Sequence, residues 1–212
     1  MAAPKPAIAG LYAIADTSYL GAADFVPAVT AALAGGARVL QYRDKQSDDA
    51  TRRAIAHALN RLCIASNVPL LINDDSALAA EIGAAGVHIG RDDADIAAAR
   101  ALLGPDAVIG VSCYNEIALA EAAAAAGADY VAFGRFFPSR TKPRAVGAGI
   151  ELLHAARAVL KLPIVAIGGI TPENGGALIE AGADALAVIE GVFGQADIRA
   201  AAERYARLFD VL

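Results

Sequence analysis

The sequence repeats one pattern eight times, a short apolar run followed by an Ala-rich helical segment. The runs predicted as strands cover residues 11–16, 37–42, 69–73, 86–90, 107–112, 129–134, 163–168 and 185–189. The predicted helices cover residues 24–35, 48–66, 75–84, 93–103, 115–126, 149–160, 172–181 and 196–209. Alternating strands and helices with short connections predict a parallel sheet in which a helix makes each crossover.

Eight parallel strands in 212 residues are best closed into a (β/α)₈ TIM barrel, for which about 200 residues is the compact limit. Gly36, Gly127 and Gly182 each precede Ala at a helix end, which suits a left-handed helix terminus. An open doubly wound sheet is the alternative, because periodicity does not show closure. In both architectures ligands bind at the C-terminal ends of the strands. We expect one domain over residues 1–212, with residues 1–9 as an N-terminal extension.

Composition limits the partners. A net charge of -5 and a pI near 5.2 argue against nucleic acid and against an anionic membrane surface. We expect no membrane span, because no uninterrupted apolar run is long enough, and no signal peptide, because no apolar segment follows the first residues. Cys63 and Cys113 fit no metal or disulfide spacing. We expect a cytoplasmic protein acting on small-molecule substrates, with a homo-oligomer left open.

Acidic residues follow the third and fourth predicted strands. If these strands are parallel neighbours, Asp74 and Asp93 project from the same edge of the sheet. Two converging carboxylates are a place to hold Mg²⁺. The alternative is that Asp75 and Asp93 only cap the helices that follow.

Cations follow the second strand. Because side chains alternate across a strand, Gln41, Arg43 and Lys45 share one face, which we place toward the barrel interior. An amide and two cations can grip a phosphate, the Arg through its fork and the Lys as a point charge. In the alternative interpretation, Arg43 and Lys45 simply pair with nearby acids.

Two more strand ends carry polar groups. Ser112, at the end of the fifth strand, either contacts a substrate or caps the helix that begins near Asn115. The long segment after the sixth strand contains Ser139, Arg140, Thr141 and Lys142. Hydroxyls, backbone N–H groups and a cation suit anion binding, and a plain surface loop is the alternative.

The last two strands end in turns typical of phosphate-binding barrels. Gly168 and Gly169 follow the seventh strand, and the segment 189–193 follows the eighth. In such barrels the phosphate lies between these turns, on a Gly-rich loop and a short extra helix. His88 lies mid-strand, where a packed, hydrogen-bonded core residue is more common than a base. The strand ends thus offer groups that bind anions but no catalytic triad containing a histidine. This favours displacement of a phosphate-type leaving group over proton abstraction.

Together these strand ends resemble the thiamine-phosphate synthase family, in order and over nearly the whole chain. The matching stretches are LYAIAD at 11–16, QYRDK at 41–45, IND at 72–74, GVHIGRDD at 86–93, GVS at 110–112, GADYV at 127–131, SRTK at 139–142 and AIGGI at 166–170. The resemblance implies Mg²⁺-dependent joining of a hydroxymethylpyrimidine diphosphate to a thiazole phosphate, or its 2-carboxylate. The expected steps are loss of pyrophosphate and then attack by the thiazole nitrogen.

The resemblance also implies roles for individual residues. The pyrimidine diphosphate would be bound by Gln41, Arg43, Lys45, Asn73, Ser112 and Lys142, of which Arg43, Lys45, Ser112 and Lys142 would be catalytic. The thiazole phosphate would be bound by Ser139, Arg140, Thr141, Gly169, Ile189 and Glu190. Asp74 and Asp93 would hold Mg²⁺.

Two positions depart from the family pattern. Glu190 stands where a small or hydroxyl residue is expected, so its side chain must turn away from the phosphate or weaken its binding. Arg135 stands where the family has a small residue or Pro, and it can offset Glu190 or add an anion contact. The other functions considered are a thiazole tautomerase-like paralogue, a lyase using Lys45 or Lys142 as a Schiff base, and a non-catalytic phosphate-binding barrel.

Overall fold

Eight parallel strands form a closed barrel in which each strand pairs with its neighbours in the sequence and β1 pairs with β8. The computed structural model describes residues 5–90, 95–138 and 147–210. The strands are β1 (Gly10–Asp16), β2 (Ala37–Arg43), β3 (Leu70–Asn73), β4 (Gly86–Ile89), β5 (Val108–Tyr114), β6 (Tyr130–Gly134), β7 (Ile164–Ile167) and β8 (Ala185–Val188). The predicted TIM barrel is confirmed, and the open sheet is wrong.

The helices cover the outside of the barrel, one after each strand, with an additional short helix after β8. They are α1 (Phe25–Ala34), α2 (Asp49–Ala65), α3 (Ser76–Ile82), α4 (Ile96–Leu103), α5 (Ile117–Ala125), α6 (Glu151–Val159), α7 (Gly175–Glu180), α8 (Glu190–Phe193) and α9 (Ile198–Ala206). A 3₁₀ turn, Arg207–Phe209, follows α9. Within the parts of the chain described, no helix combines the length and apolar character needed to cross a membrane.

Local hydrogen bonds explain where helix ends differ from prediction. The helix predicted to start at residue 93 starts at Ile96, because the Asp95 carboxylate accepts from Ala98 N–H and caps it. Asp75 caps α3 in the same way, as the capping alternative predicts. For Ser112 that alternative is wrong, because β5 continues to Tyr114.

Glycines at helix ends behave as the sequence predicts. Gly36, Gly127 and Gly182 have φ values of 96°, 95° and 111°, in the left-handed region that a side chain disfavours. These turns let each chain segment leave a helix and enter the next strand at once, which keeps the barrel compact.

Two apolar clusters pack against the two faces of the sheet. The larger one lies between strands and helices and includes Phe25, Tyr42 and Leu59. The smaller one fills the barrel interior and includes Tyr12 and Tyr130. Ile8, which precedes β1, belongs to this inner cluster and is buried.

The Tyr130 ring occupies space that only a glycine on β5 leaves open. A Cβ placed on Gly110 would lie 1.9 Å from Tyr130 Cζ and 2.3 Å from its hydroxyl oxygen. Real Cβ atoms do not approach other atoms this closely, so the ring would have to move. Gly110 therefore fixes where the Tyr130 hydroxyl lies.

Gly110→Ala should lower the free energy of unfolding by about 1–3 kcal/mol, the usual cost of overpacking. Gly176→Ala is the matched control, because a Cβ added at Gly176 would meet nothing within 4 Å. In α7 the added methyl should be neutral or stabilise by up to about 1 kcal/mol. Urea unfolding of both variants measures the difference, and equal stability of the two would contradict the packing argument.

Candidate active site

A cavity of about 610 Å³ opens at the C-terminal ends of the strands, and every strand contributes to its walls. The predicted site residues that line it are Gln41, Arg43, Lys45, Asn73, Asp74, Ser112, Gly169, Ile189 and Glu190. Five others, Asp93, Ser139, Arg140, Thr141 and Lys142, lie outside the described residues. Residues that strand periodicity places at one rim thus share one cavity.

Arg43 reaches this cavity while paired with a buried acid at the end of β1. Its Nη1 lies 2.5 Å from Asp16 Oδ2, and only 1% of the Asp16 side chain is exposed. The other Asp16 oxygen accepts from the Ser18 N–H at 2.8 Å and from the Ser18 hydroxyl at 2.6 Å. Asp16 therefore holds the guanidinium in place. The sequence analysis did not predict a role for Asp16, although Asp16 is an acidic residue at the end of β1, just as Asp74 is at the end of the third predicted strand.

Lys45 is also paired with an acid across the mouth. Its Nζ lies 2.7 Å from Asp74 Oδ2, which also accepts from Asn73 Nδ2 at 2.6 Å. Half of the Lys45 side chain is exposed, so this pair adds little to stability. Both cations thus pair with acids, as the alternative interpretation predicts, and both also line the cavity, so their contact with a phosphate stays a prediction.

The Asp74 carboxylate suits a hard cation. Asp74 has φ of 63° directly after β3, and its N–H donates to the His88 carbonyl on β4 at 2.8 Å. Mg²⁺ is commonly held by one or two carboxylates together with substrate phosphates and water. Among the residues described, no cluster of three or more acidic, His or Cys side chains could bind a metal by itself. An Asp74 carboxylate is therefore a ligand that Mg²⁺ could use together with substrate phosphates, and its role as a metal ligand stays a prediction.

A chain of hydrogen bonds crosses the barrel beneath the mouth. Gln41 Nε2 donates to the Tyr12 hydroxyl at 2.7 Å, and the Tyr12 and Tyr130 hydroxyls lie 2.8 Å apart. His88 Nδ1 lies 2.7 Å from the Tyr130 hydroxyl, and His88 Nε2 lies 2.9 Å from Ser112 Oγ. His88 is hydrogen-bonded, as predicted, but it lines the cavity and is not enclosed in the core.

The Gly-Gly turn after β7 lies directly against the segment after β6. A Cβ on Gly168 would come within 2.3 Å of Arg135 Cβ, and one on Gly169 within 2.3 Å of the Pro138 carbonyl. Both glycines have positive φ. Phe137 N–H also donates to the Gly168 carbonyl at 3.0 Å, so the two strand ends form one wall.

The short extra helix predicted after β8 is present as α8. The first backbone hydrogen bond of this turn runs from the Val192 N–H to the Ile189 carbonyl at 3.1 Å. The amides before it belong to Ile189, Glu190 and Gly191, and all three residues line the cavity. Tyr205 supports this end, since its hydroxyl donates to the Ile170 carbonyl at 2.9 Å and lies over Gly191. Glu190 also lines the cavity. Its Cγ lies close to Gly194, one helical turn later, where an added Cβ would be 3.1 Å away.

A Gly-Gly turn after β7, a short helix after β8 and cations at the mouth occur together in the class of phosphate-binding (β/α)₈ barrels. Residues 11–192 match the protein family described as thiamine monophosphate synthase. The chain therefore belongs to this family, and it is an enzyme of the transferase class.

Individual relatives agree with this assignment. The thiamine-phosphate synthase of Nitrosococcus oceani is 58% identical over 95% of this chain and 93% of its own. That of Acidithiobacillus ferrooxidans is 51% identical over 99% and 98%. The structure of a thiamine phosphate pyrophosphorylase from Pyrococcus furiosus superposes with a TM-score of 0.86 at 32% identity, covering 95% of this chain and 96% of that one.

The interior tyrosines predict how stability depends on pH. Burial raises the pKa of Tyr12 and Tyr130 above the ordinary value of 10.0. Above about pH 10 these tyrosines lose their protons in the unfolded chain but keep them in the folded one. The contribution of each tyrosine to the free energy of unfolding is therefore fully present below about pH 10 and decreases as the pH rises above it. Each should cost about 1.4 kcal/mol per pH unit. Urea unfolding between pH 9 and 11 measures the slope, and a flat profile would contradict it.

Asp16→Asn should lower the free energy of unfolding by about 1–3 kcal/mol. The carboxylate accepts hydrogen bonds through both of its oxygens, whereas an amide has only one oxygen and would leave one of the donors without an acceptor. The facing donors are Arg43 and Ser18. Asp24→Asn is the control, since Asp24 is an exposed acid in the same loop whose side chain makes no capping hydrogen bond. Denaturant unfolding compares the two, and equal midpoints would refute the role assigned to Asp16.

Proposed function

We propose that this chain is a thiamine-phosphate synthase that joins a hydroxymethylpyrimidine diphosphate to a thiazole phosphate and releases pyrophosphate. The observation that carries the proposal is the cavity that gathers Gln41, Arg43, Lys45, Asn73, Asp74 and Ser112 at one mouth. Relatives more than 50% identical over nearly their whole length carry that name.

The expected reaction breaks one bond and forms one. The C–O bond between the pyrimidine methylene and the diphosphate breaks, and its electron pair leaves with pyrophosphate. The lone pair of the thiazole nitrogen then forms the new C–N bond. No proton is removed in either step, so the reaction needs no general base.

Arg43 and Lys45 would act on the leaving group. Both cations line the mouth and are held by the acids Asp16 and Asp74, so little reorganisation is needed when negative charge develops on pyrophosphate. Asp74 and the predicted ligand Asp93 would hold Mg²⁺. When bound, Mg²⁺ would supply Lewis-acid neutralisation of the diphosphate oxygens.

The deeper part of the cavity suits an aromatic ring with polar edges. Apolar side chains such as Ile14, Ala132 and Val165 line it beside Gln41 and Ser112. Such a mixture fixes a ring by shape and by a few directed hydrogen bonds. We assign the pyrimidine to this part, with the diphosphate toward Arg43 and Lys45.

The thiazole phosphate would lie opposite, near Gly169, Ile189 and Glu190. Ser139, Arg140 and Thr141 are expected to complete this subsite, and Lys142 to contact the diphosphate. The Glu190 side chain must stay away from the phosphate, because like charges at close range repel. The acceptance of the 2-carboxylated thiazole, a cytoplasmic location and a homo-oligomer stay predictions.

Two alternatives are less well supported. A tautomerase-like paralogue needs a phosphate subsite but not the cations Arg43 and Lys45 beside Asp74, which this mouth retains. A lyase using Lys45 needs its amine as a nucleophile, whereas here Lys45 forms an ion pair with Asp74. Lys142, the other lysine of this alternative, lies outside the described residues.

The direct test incubates the purified chain with both substrates and measures pyrophosphate and the thiazolium product. Product should require both substrates and Mg²⁺, and excess chelator should abolish it. Ligand binding without turnover would support a non-catalytic barrel and sink the proposal.

Asp74→Asn keeps the size of the side chain and removes the charge, so kcat/KM should fall roughly 10- to 100-fold at low Mg²⁺ and partly recover at high Mg²⁺. The control is Asp197→Asn, since Asp197 caps α9 through a hydrogen bond to the Ala200 N–H that an Asn preserves. An unchanged Mg²⁺ dependence in Asp74→Asn would remove Asp74 from the metal site.

A further inference from the structure

The hydrogen-bond chain across the barrel joins two residues expected to contact the pyrimidine. Gln41 lies at one end and Ser112 at the other, and both line the cavity. Tyr130 lies in the middle, between Tyr12 and His88. It lies on β6, and it is not among the residues expected to bind substrate.

The hydroxyls can donate along the chain in one direction, from Gln41 toward Ser112. Tyr12 and Tyr130 are 1% and 0% exposed, and burial raises the pKa of both, so each keeps its hydroxyl hydrogen at neutral pH. Because the Tyr12 hydroxyl accepts from Gln41, it can donate its own hydrogen to the Tyr130 hydroxyl. If Tyr12 donates in this way, Tyr130 donates to His88 Nδ1, and a neutral His88 then donates its Nε2–H to Ser112 Oγ. In that arrangement the Ser112 hydroxyl accepts from His88, and its own hydrogen points away from the His88 ring.

Packing prevents the middle of the chain from shifting. The Tyr130 ring lies against Gly110 on one side, where a single added carbon would collide with it. It also stacks on His88, with ring centres 5.6 Å apart, and meets the Tyr12 ring edge-on at 6.1 Å. A Phe at this position would keep these ring contacts and lose only the hydroxyl.

We propose that Tyr130 is a positioning residue for the reaction, which orients Ser112 through His88. This inference rests on the proposed function. It assigns to Tyr130 no contact with substrate. The competing explanation is that the chain only satisfies buried polar groups and stabilises the barrel interior.

Coupling between variants separates the two explanations. If Tyr130 acts through Ser112, its hydroxyl matters only while Ser112 is present. A purely structural role predicts effects of Tyr130→Phe and Ser112→Ala that multiply. Tyr42→Phe is the matched control, because it removes a hydroxyl from another buried tyrosine that lies outside the barrel interior and bonds Asp44.

The experiment first establishes activity of the parent chain with both substrates, so that a failure of the proposed function is recognised separately. It then compares kcat and KM of Tyr130→Phe, Ser112→Ala, the double variant and Tyr42→Phe, with thermal unfolding of each. We expect a loss of kcat/KM of roughly 10-fold in Tyr130→Phe and in Ser112→Ala, as for one buried hydrogen bond. The double variant should fall within about 2-fold of Ser112→Ala, and Tyr42→Phe should match the parent.

Two results would overturn the inference. One is activity of Tyr130→Phe equal to that of Tyr42→Phe, and the other is a double variant in which the two losses multiply. If Tyr130→Phe does not fold, His88→Asn in the same cycle with Ser112→Ala answers the question, because it breaks the chain one residue nearer to Ser112.

Discussion

Closure of the parallel sheet is the constraint on which the site depends. Because all eight strands run in one direction around a ring, their C-terminal ends meet at one rim and their inward side chains share one interior. Residues far apart in the sequence, such as Tyr12 and Tyr130, are brought within hydrogen-bonding distance. An open sheet would leave β1 and β8 apart and the cavity without a wall.

Two ion pairs fix the positions of the cations at the mouth of the cavity. Asp16 and Asp74 hold Arg43 and Lys45 by ion pairs, so the cations are presented to an arriving anion from fixed positions. The two pairs differ in surroundings, because Asp16 is buried whereas Lys45 is largely exposed. The first pair contributes to the fold as well as to the site, and the second mainly to the site.

The sequence predicts the fold and one side of the site well. Two-residue periodicity is enough to place Gln41, Arg43 and Lys45 on one face, and acidic strand ends are enough to indicate Asp74. The same reasoning cannot find Tyr12 and Tyr130, because strands buried on both faces appear as continuous apolar runs in which a tyrosine has no special position. For His88 it predicts a packed core, because the partners of His88 come from β5 and β6 and strand register is not visible in the sequence. Helix starts are misplaced where several acids precede a helix, as at Asp95, since any of them can serve as the cap.

The segment between β6 and α6 begins and ends at fixed points. On one side Phe136 and Phe137 donate to carbonyls of Ile167 and Gly168, and on the other Ala148 donates to the Arg135 carbonyl at 2.8 Å. These bonds close the segment at its base, independently of what lies between residues 138 and 147. All of these bonds join backbone groups, so they do not depend on which side chains Phe136, Phe137 and Ala148 carry. Substitutions at these three positions can therefore change what the mouth presents to a ligand and leave its backbone frame in place.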